Sequence, residues 1–192
     1  MIGMQRLRGQ WVLSHTACTS ETGAFYPNNI TVWKGQQMMS EGGTYLLPDR
    51  LEPDLDLVRA YWNGLKRGNN DIPFCDDVKF SMHKRLARDI LLIETFENPL
   101  RFRFDLVGDD ITQRHGAAIT GKFSDEIDLN APLDELTSQC RATVERREPT
   151  YFRYAPTGKS QAEVRAGYSR LMLPLWGNGR IEMLLGAVAG TK

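Results

Sequence analysis

The chain has 192 residues, enough for one ordinary domain with an extension and too few for two full-sized domains. Its 41% hydrophobic and 25% charged residues exclude wholesale disorder. Lys+Arg and Asp+Glu balance at 24 each, which argues against nucleic-acid binding through bulk charge and favours a homodimer by weakening self-repulsion.

Residues 1–52 carry only 8 of the 48 charged residues and six of the 17 glycines. Gln10–Leu13 and Ile30–Trp33 are the only short strand candidates there, and neither has helical periodicity beside it. Such a stretch buries too little apolar surface to offset its ordering entropy, so a poorly structured N-terminal extension or strap is expected, followed by a domain over 53–192. Met38-Met39 stands just before the charge-rich part and is a second candidate start. Arg6 and Arg8 precede Trp11-Val12-Leu13, but that apolar stretch stops at Ser14-His15, short of the ~7–15 residues of a signal-peptide core.

From Pro53 the pattern sharpens. Leu55, Val58, Tyr61, Trp62 and Leu65 recur at helical spacing, with Asp54 and Asp56 at the start, Lys66 and Arg67 at the end and Gly68 as terminator. Phe74–Arg88 reads as mixed loop and short helix. Ile90–Ile93 is a buried apolar run. After the Glu97-Asn98-Pro99 break, Leu100–Val107 alternates Phe102, Phe104 and Leu106 against Arg101, Arg103 and Asp105, which completes a hairpin. Gly108-Asp109-Asp110 caps a short helix ending near Gly116, and a second short piece is expected at Phe123–Ile127. Pro132 opens a longer helix with Leu133, Leu136, Cys140 and Val144 on one face. Three strands follow: Thr150–Tyr154, then Val164–Trp176 and Arg180–Ala189 across the tight turn Gly177-Asn178-Gly179. Two strands, a helical excursion and three more strands make an α+β fold with an antiparallel sheet.

This order resembles the PAS domain. Tyr61-Trp62-Asn63-Gly64-Leu65, Ile72-Pro73, Arg101-Phe102-Arg103-Phe104, Leu106-Val107-Gly108, Gly116 with Thr120-Gly121, and Tyr168–Leu175 look like the short stand-alone PAS-like proteins of alphaproteobacteria. The resemblance covers about residues 54–189. It implies a five-stranded sheet in order 2-1-5-4-3 with helices on one face, a small cavity between them, and a sensory or protein-interaction role in bacterial signalling. The Asp-Ile-Thr-like ending and coiled-coil linker of many signalling PAS domains do not follow the last strand, so output is expected through a separate signalling protein.

Cofactor versions of the fold find no matching residues. Haem would want an axial histidine on the helix over 132–147; His15, His83 and His115 all lie elsewhere. Cys18, Cys75 and Cys140 lack the context of a flavin-reactive cysteine, and their odd number and wide spacing fit neither disulfides nor a metal site. Reduced thiols point to the cytoplasm. No apolar run approaches the ~20 residues needed to span a bilayer, so no membrane partner is expected. Cofactor, metal and catalytic residues are all expected to be none.

Arg170 lies mid-strand on the same side as Tyr168 and Met172. If that side faces the cavity, its guanidinium needs an acidic side chain or a ligand carboxylate; the bland alternative is a solvated outer face. Phe104, Phe152, Tyr154 and Met183, with Tyr168 and Arg170, are the ligand-binding candidates for a small apolar or amphipathic molecule. Tyr61 and Trp62 are the interface candidates, since the leading helix exposes large aromatics unless something covers them. Cys140 and His115 read as core and as a glycine-capped helix end. Three other strings are weaker. Gln113–Ala118 resembles the pyrophosphate loop of acetyltransferases, which makes an acyl-CoA-dependent acyltransferase the alternative function. Gly158-Lys159-Ser160 lacks the first glycine of a P-loop, and Asp109-Asp110 is a helix cap before it is a cation site.

Overall fold

The computed structural model describes residues 5–7, 10–12, 45–79, 86–155 and 166–190. The chain divides into two compact units, Met1–Met38 and Met39–Lys192. In the first, β1 (Gln5–Leu7) pairs antiparallel with β2 (Gln10–Val12), so the strand expected at Gln10–Leu13 is present with a partner. The strand expected at Ile30–Trp33 lies outside the described residues, as do Cys18, His15, His83 and Gly158–Ser160.

The second unit is an α+β fold. Its elements run α1 (Pro53–Gly64), β3 (Ile90–Phe96), β4 (Arg101–Val107), α2 (Asp109–His115), α3 (Leu136–Arg146), β5 (Thr150–Tyr154), β6 (Tyr168–Gly177) and β7 (Arg180–Gly190). The sheet is antiparallel in the order β4-β3-β7-β6-β5. Numbered within the domain, that is the expected 2-1-5-4-3. Ile90 stands opposite Ala187 and Ile93 opposite Leu184, so the first strand of the domain is zipped to the last.

The β6–β7 turn forms because Asn178 and Gly179 both take positive φ, 46° and 79°, as a two-residue hairpin of the primed type demands. Gly116, at φ 85°, caps α2 by returning its N–H to the Thr112 carbonyl. Elsewhere the boundaries move. α1 stops at Gly64, before the expected Gly68, and Arg67 pairs with Asp77 instead of extending the helix. Phe123–Ile127 is a turn, not a helix. Its backbone lines the β4 edge, with Phe104 N–H donating to Lys122 O and Ser124 N–H to Phe102 O, so the edge strand is covered.

The largest departure is the second face of the sheet. Leu55, Val58 and Trp62 of α1 pack on Leu171, Leu173, Leu175, Leu185 and Ala187, while Tyr168, Met172, Leu184 and Val188 face α2 and α3. Helices therefore cover both faces, and β6 is buried along nearly its whole length. Each buried aliphatic of α1 contributes about 1.5–3 kcal/mol of transfer free energy, which is why the helix docks instead of standing free. Beyond the end of β5 the edge of β6 is closed by two contacts. Trp62 Nε1–H donates to the Pro174 carbonyl at 2.8 Å, and Trp176 N–H to the Pro73 carbonyl at 2.8 Å.

Tyr45–Glu52, within the expected extension, packs on the domain. Tyr45 O accepts Tyr151 N–H at 3.2 Å on the β5 edge, and Leu47 and Leu51 join the α1 side. Glu52 then fixes the entry to α1. Its Oε1 accepts Ser169 Oγ at 2.6 Å and lies 2.9 Å from the Tyr151 hydroxyl. Burial pushes the Glu52 carboxyl up, but the hydrogen bonds from Ser169 and Tyr151 outweigh it and hold the group below its ordinary value. No helix among the described residues is long and apolar enough to cross a membrane.

Two outcomes follow from this packing. Trp62→Ala should lower unfolding free energy by about 3–5 kcal/mol in urea titration, because it opens a cavity and frees the Pro174 carbonyl. A folded-state pKa below the unfolded one means that Glu52 stabilises above the ordinary carboxylate range and ceases to do so as pH falls through its folded value. Glu52→Gln should therefore be less stable than the parent at pH 7, with the gap closing as pH falls below the ordinary carboxylate range.

Candidate functional site

The space between the sheet and the helices on the α3 side is filled by side chains. Phe102 and Phe104 from β4, Ile111 from α2, Ile119, Leu133, and Leu136 and Cys140 from α3 meet Leu91, Ile93, Met172, Leu184 and Val188 of the sheet. All are at most 2% exposed. Phe104 is thus core, not the wall of a hollow, and burial pushes the Cys140 thiol up to about 12, so it stays protonated.

Arg170 brings a charge into this apolar layer: it is fully buried on the α3 side of β6. The acidic partner expected for it is replaced by carbonyl oxygens. Nε donates to Gln139 Oε1 at 2.7 Å, and the two terminal nitrogens donate to the carbonyls of Pro132 and Asp134 at 2.9 Å each. The guanidinium also lies 5.1 Å from the centre of the Phe152 ring. These dipoles satisfy the cation in place without a ligand carboxylate, while burial pulls its pKa down.

The same contacts explain a shifted helix start. Pro132–Glu135 does not enter α3 as its sequence suggests, because the Pro132 and Asp134 carbonyls turn to Arg170; the helix begins at Leu136. Gln139 holds the network from its own side, its Nε2 donating to Thr150 O at 3.2 Å and to Arg170 O at 3.3 Å. Thr143 and Thr150 hydroxyls meet at 2.6 Å beside it. Tyr168 donates its hydroxyl to Asp134 Oδ2 at 2.8 Å and stacks on Tyr154, with ring centres 5.5 Å apart. Burial, then the Asp134 hydrogen bond, push the Tyr168 phenol well above its ordinary value, so it remains a donor.

An open groove of about 550 Å³ lies directly beside this network. Arg114 at the end of α2, Asn130–Pro132, Ala166–Tyr168 at the start of β6 and Gly190 at the end of β7 line it. Its volume is that of a small-molecule site. Pro132 and Tyr168 belong to both groove and network, so an occupant of the groove touches the turn that Arg170 holds.

No protein-family model matches the chain, and no curated protein matches it. Among solved structures it is similar to a fungal LOV domain photoreceptor, at 14% identity over 71% of this chain and 92% of that one, with a TM-score of 0.42.

The six expected ligand residues divide. Tyr168, Arg170, Phe152 and Tyr154 cluster at the β5–β6 edge near α3, with Tyr168 alone lining the groove. Phe104 joins the filled interior. Met183 packs with the α1 side of the sheet, the opposite face, because it alternates along β7 in phase with Leu185 and Ala187. Of the two interface candidates, Trp62 is only 3% exposed and is held by the sheet, so it offers nothing to a partner. The Tyr61 hydroxyl meets the Lys79 backbone, 2.7 Å from its nitrogen.

Sequence reading missed Gln139, Asp134, Pro132, Arg114 and Asn130. Gln139 carried a visible signal: with Leu136, Cys140 and Thr143 it shares the buried helical stripe, where an amide requires partners. Gln113–Ala118 straddles the end of α2 and its glycine cap. That is the carbonyl-rich end of a helix, opposite in polarity to a pyrophosphate cradle. His115 Nε2 lies 3.0 Å from Asp128 O. Asp110 pairs with Arg88 at 2.6 Å, and no group of three or more metal-ligating side chains occurs among the described residues.

Gln139→Leu should cost about 3–5 kcal/mol, since it strands a buried guanidinium nitrogen. Replacing Gln139 and Arg170 together, Gln139→Leu with Arg170→Met, should cost less than the sum of the two single changes, a coupling measurable by a double-mutant cycle in urea.

Proposed function

We propose that the protein is a PAS-like sensory and interaction module of bacterial signalling, without catalytic activity, that binds a small amphipathic molecule in the groove beside Tyr168 and acts through a separate protein. The supporting observation is the shared wall: Pro132 and Tyr168 line the groove and also belong to the network that fixes the start of α3. The groove joins apolar Ala131, Pro132 and Ala166 to the polar ends of Arg114 and Asn130, which suits a ligand with an apolar body and a polar or anionic head.

Binding there favours one packing of the Asn130–Glu135 turn over another, and the difference reaches α3 through Gln139 and β5 through Thr150. This is population shift, limited by the ligand's differential affinity for the two packings. The homodimer expected from charge balance is assigned to the outward side of α1, where Leu57 is 55% exposed, in place of the buried Trp62.

The test uses the amphipathic anion 8-anilinonaphthalene-1-sulfonate as probe, with native mass spectrometry of freshly purified protein for co-purified small molecules. Saturable fluorescence at one site is expected, abolished by Ala166→Trp, which fills the groove from an exposed position. Binding that survives Ala166→Trp would remove the groove from consideration.

A further inference from the structure

A second groove, of about 570 Å³, lies at the turn end of the sheet. Phe74–Asp76 forms one side, Glu94 and Asp105 of β3 and β4 another, and the β6–β7 turn with Glu182 and Met183 the rest. Two β-bulges build it. The β3–β4 register steps from Leu92 opposite Leu106 to Ile93 opposite Phe104, leaving Asp105 as the extra residue. The β6–β7 register steps from Leu175 opposite Met183 to Trp176 opposite Ile181, leaving Glu182 as the extra residue. Both extra residues are acidic, and both line the same groove. Bulges re-aim single side chains in this way at the edges of functional surfaces.

The local charge is one-sided. Among the described residues, Asp76, Glu94, Asp105 and Glu182 line the groove and no Lys, Arg or His does, in a chain whose total charge is balanced. Arg103 pairs with Glu94 from β4. Among the described residues, Glu182 accepts from two neutral donors, the Cys75 thiol at 3.4 Å and the Asn178 amide. A Cβ on Gly177 would stand 1.8 Å from Glu182 Oε2, so glycine there leaves the carboxylate its place. Phe74 is 38% exposed at the lip, and Met183 is half-buried in the wall. α1 and the 45–52 strap do not line this groove, so neither covers this stretch of the outer sheet face.

We infer that this groove docks a basic, extended segment of the separate partner protein, its Lys or Arg side chains meeting Asp76, Asp105 and Glu182 and an apolar side chain lying between Phe74 and Met183. A metal ion is disfavoured because the described acids are not gathered for coordination. Dispersed carboxylates around an exposed aromatic match spaced cations on a chain instead. The inference deepens the interaction role proposed above but does not depend on the groove beside Tyr168.

The test is fluorescence anisotropy of the full chain with a labelled extended peptide of alternating lysine and leucine, against a glutamate–leucine counterpart. Saturable one-site binding of the basic peptide is expected, weakening as salt rises. Asp76→Asn with Asp105→Asn should weaken it about three- to tenfold, as should Phe74→Ala, with unchanged circular dichroism and unfolding midpoint. Asp49→Asn with Glu148→Gln, exposed acids outside the groove, should leave it unchanged. Equal loss in that control pair, equal binding of the acidic peptide, or no saturable binding would overturn the inference. So would self-association of the chain that Asp105→Lys abolishes, since the occupant would then be a second copy. None of these readings changes with Ala166→Trp, so a failure of the ligand groove and a failure of this docking surface are separable.

Discussion

Away from its turn, the hairpin of β6 and β7 is dry on both faces, and the covering elements of the second unit answer to that constraint. A strand with apolar side chains on both sides needs two covering layers. α3, α2 and the turns between them cover one face, and α1 covers the other. The long β6 also outruns its edge neighbour β5, ten residues to five, so the exposed remainder of its edge needs partners. Pro73 and the Trp62 indole supply them. Removing either covering layer would leave half of the central hairpin in water.

Arg170 stands inside one of these dry layers and gives it chemical direction. A guanidinium without a carboxylate partner is tolerable only where fixed dipoles converge, and here they come from one amide side chain and two carbonyls of a single turn. The geometry of that turn is thereby tied to β6, and through Gln139 and Thr150 to β5. Because the turn also borders the groove beside Tyr168, one cation connects the helix start, the sheet edge and the wall of that groove. The outer end of the sheet has a different character, with bulges that bring acidic side chains to a surface that α1 does not line.

Much of the fold was legible from residue order. Local signals with a unique physical reading landed closely: Asn178-Gly179 between apolar runs, Gly116 after a short helix, and the alternation of Arg101–Val107. Local pattern misled where a distant group intervened. Pro132 looks like a helix start, but its carbonyl is taken by Arg170, 38 positions away. Phe123–Ile127 has helical composition, yet its backbone is taken by β4. The site was less legible still. Tyr168 and Arg170 were placed on one side of a strand, but whether that side was wet, and what would answer the charge, lay in parts of the chain far removed in sequence.

Sequence alone determined the run of elements and the hairpins of an antiparallel sheet, because periodicity, turn chemistry and apolar content are properties of neighbours along the chain. The pairing of an early strand with the last was implied only by the resemblance to the PAS domain. Tertiary structure decided that α1 lies across the opposite face, that Trp62 is interior, that Met183 and Tyr168 face different layers, and that the core is filled while grooves form at its margins. These outcomes depend on which surfaces meet. An apolar stripe records that it will be buried and carries no record of the surface that buries it.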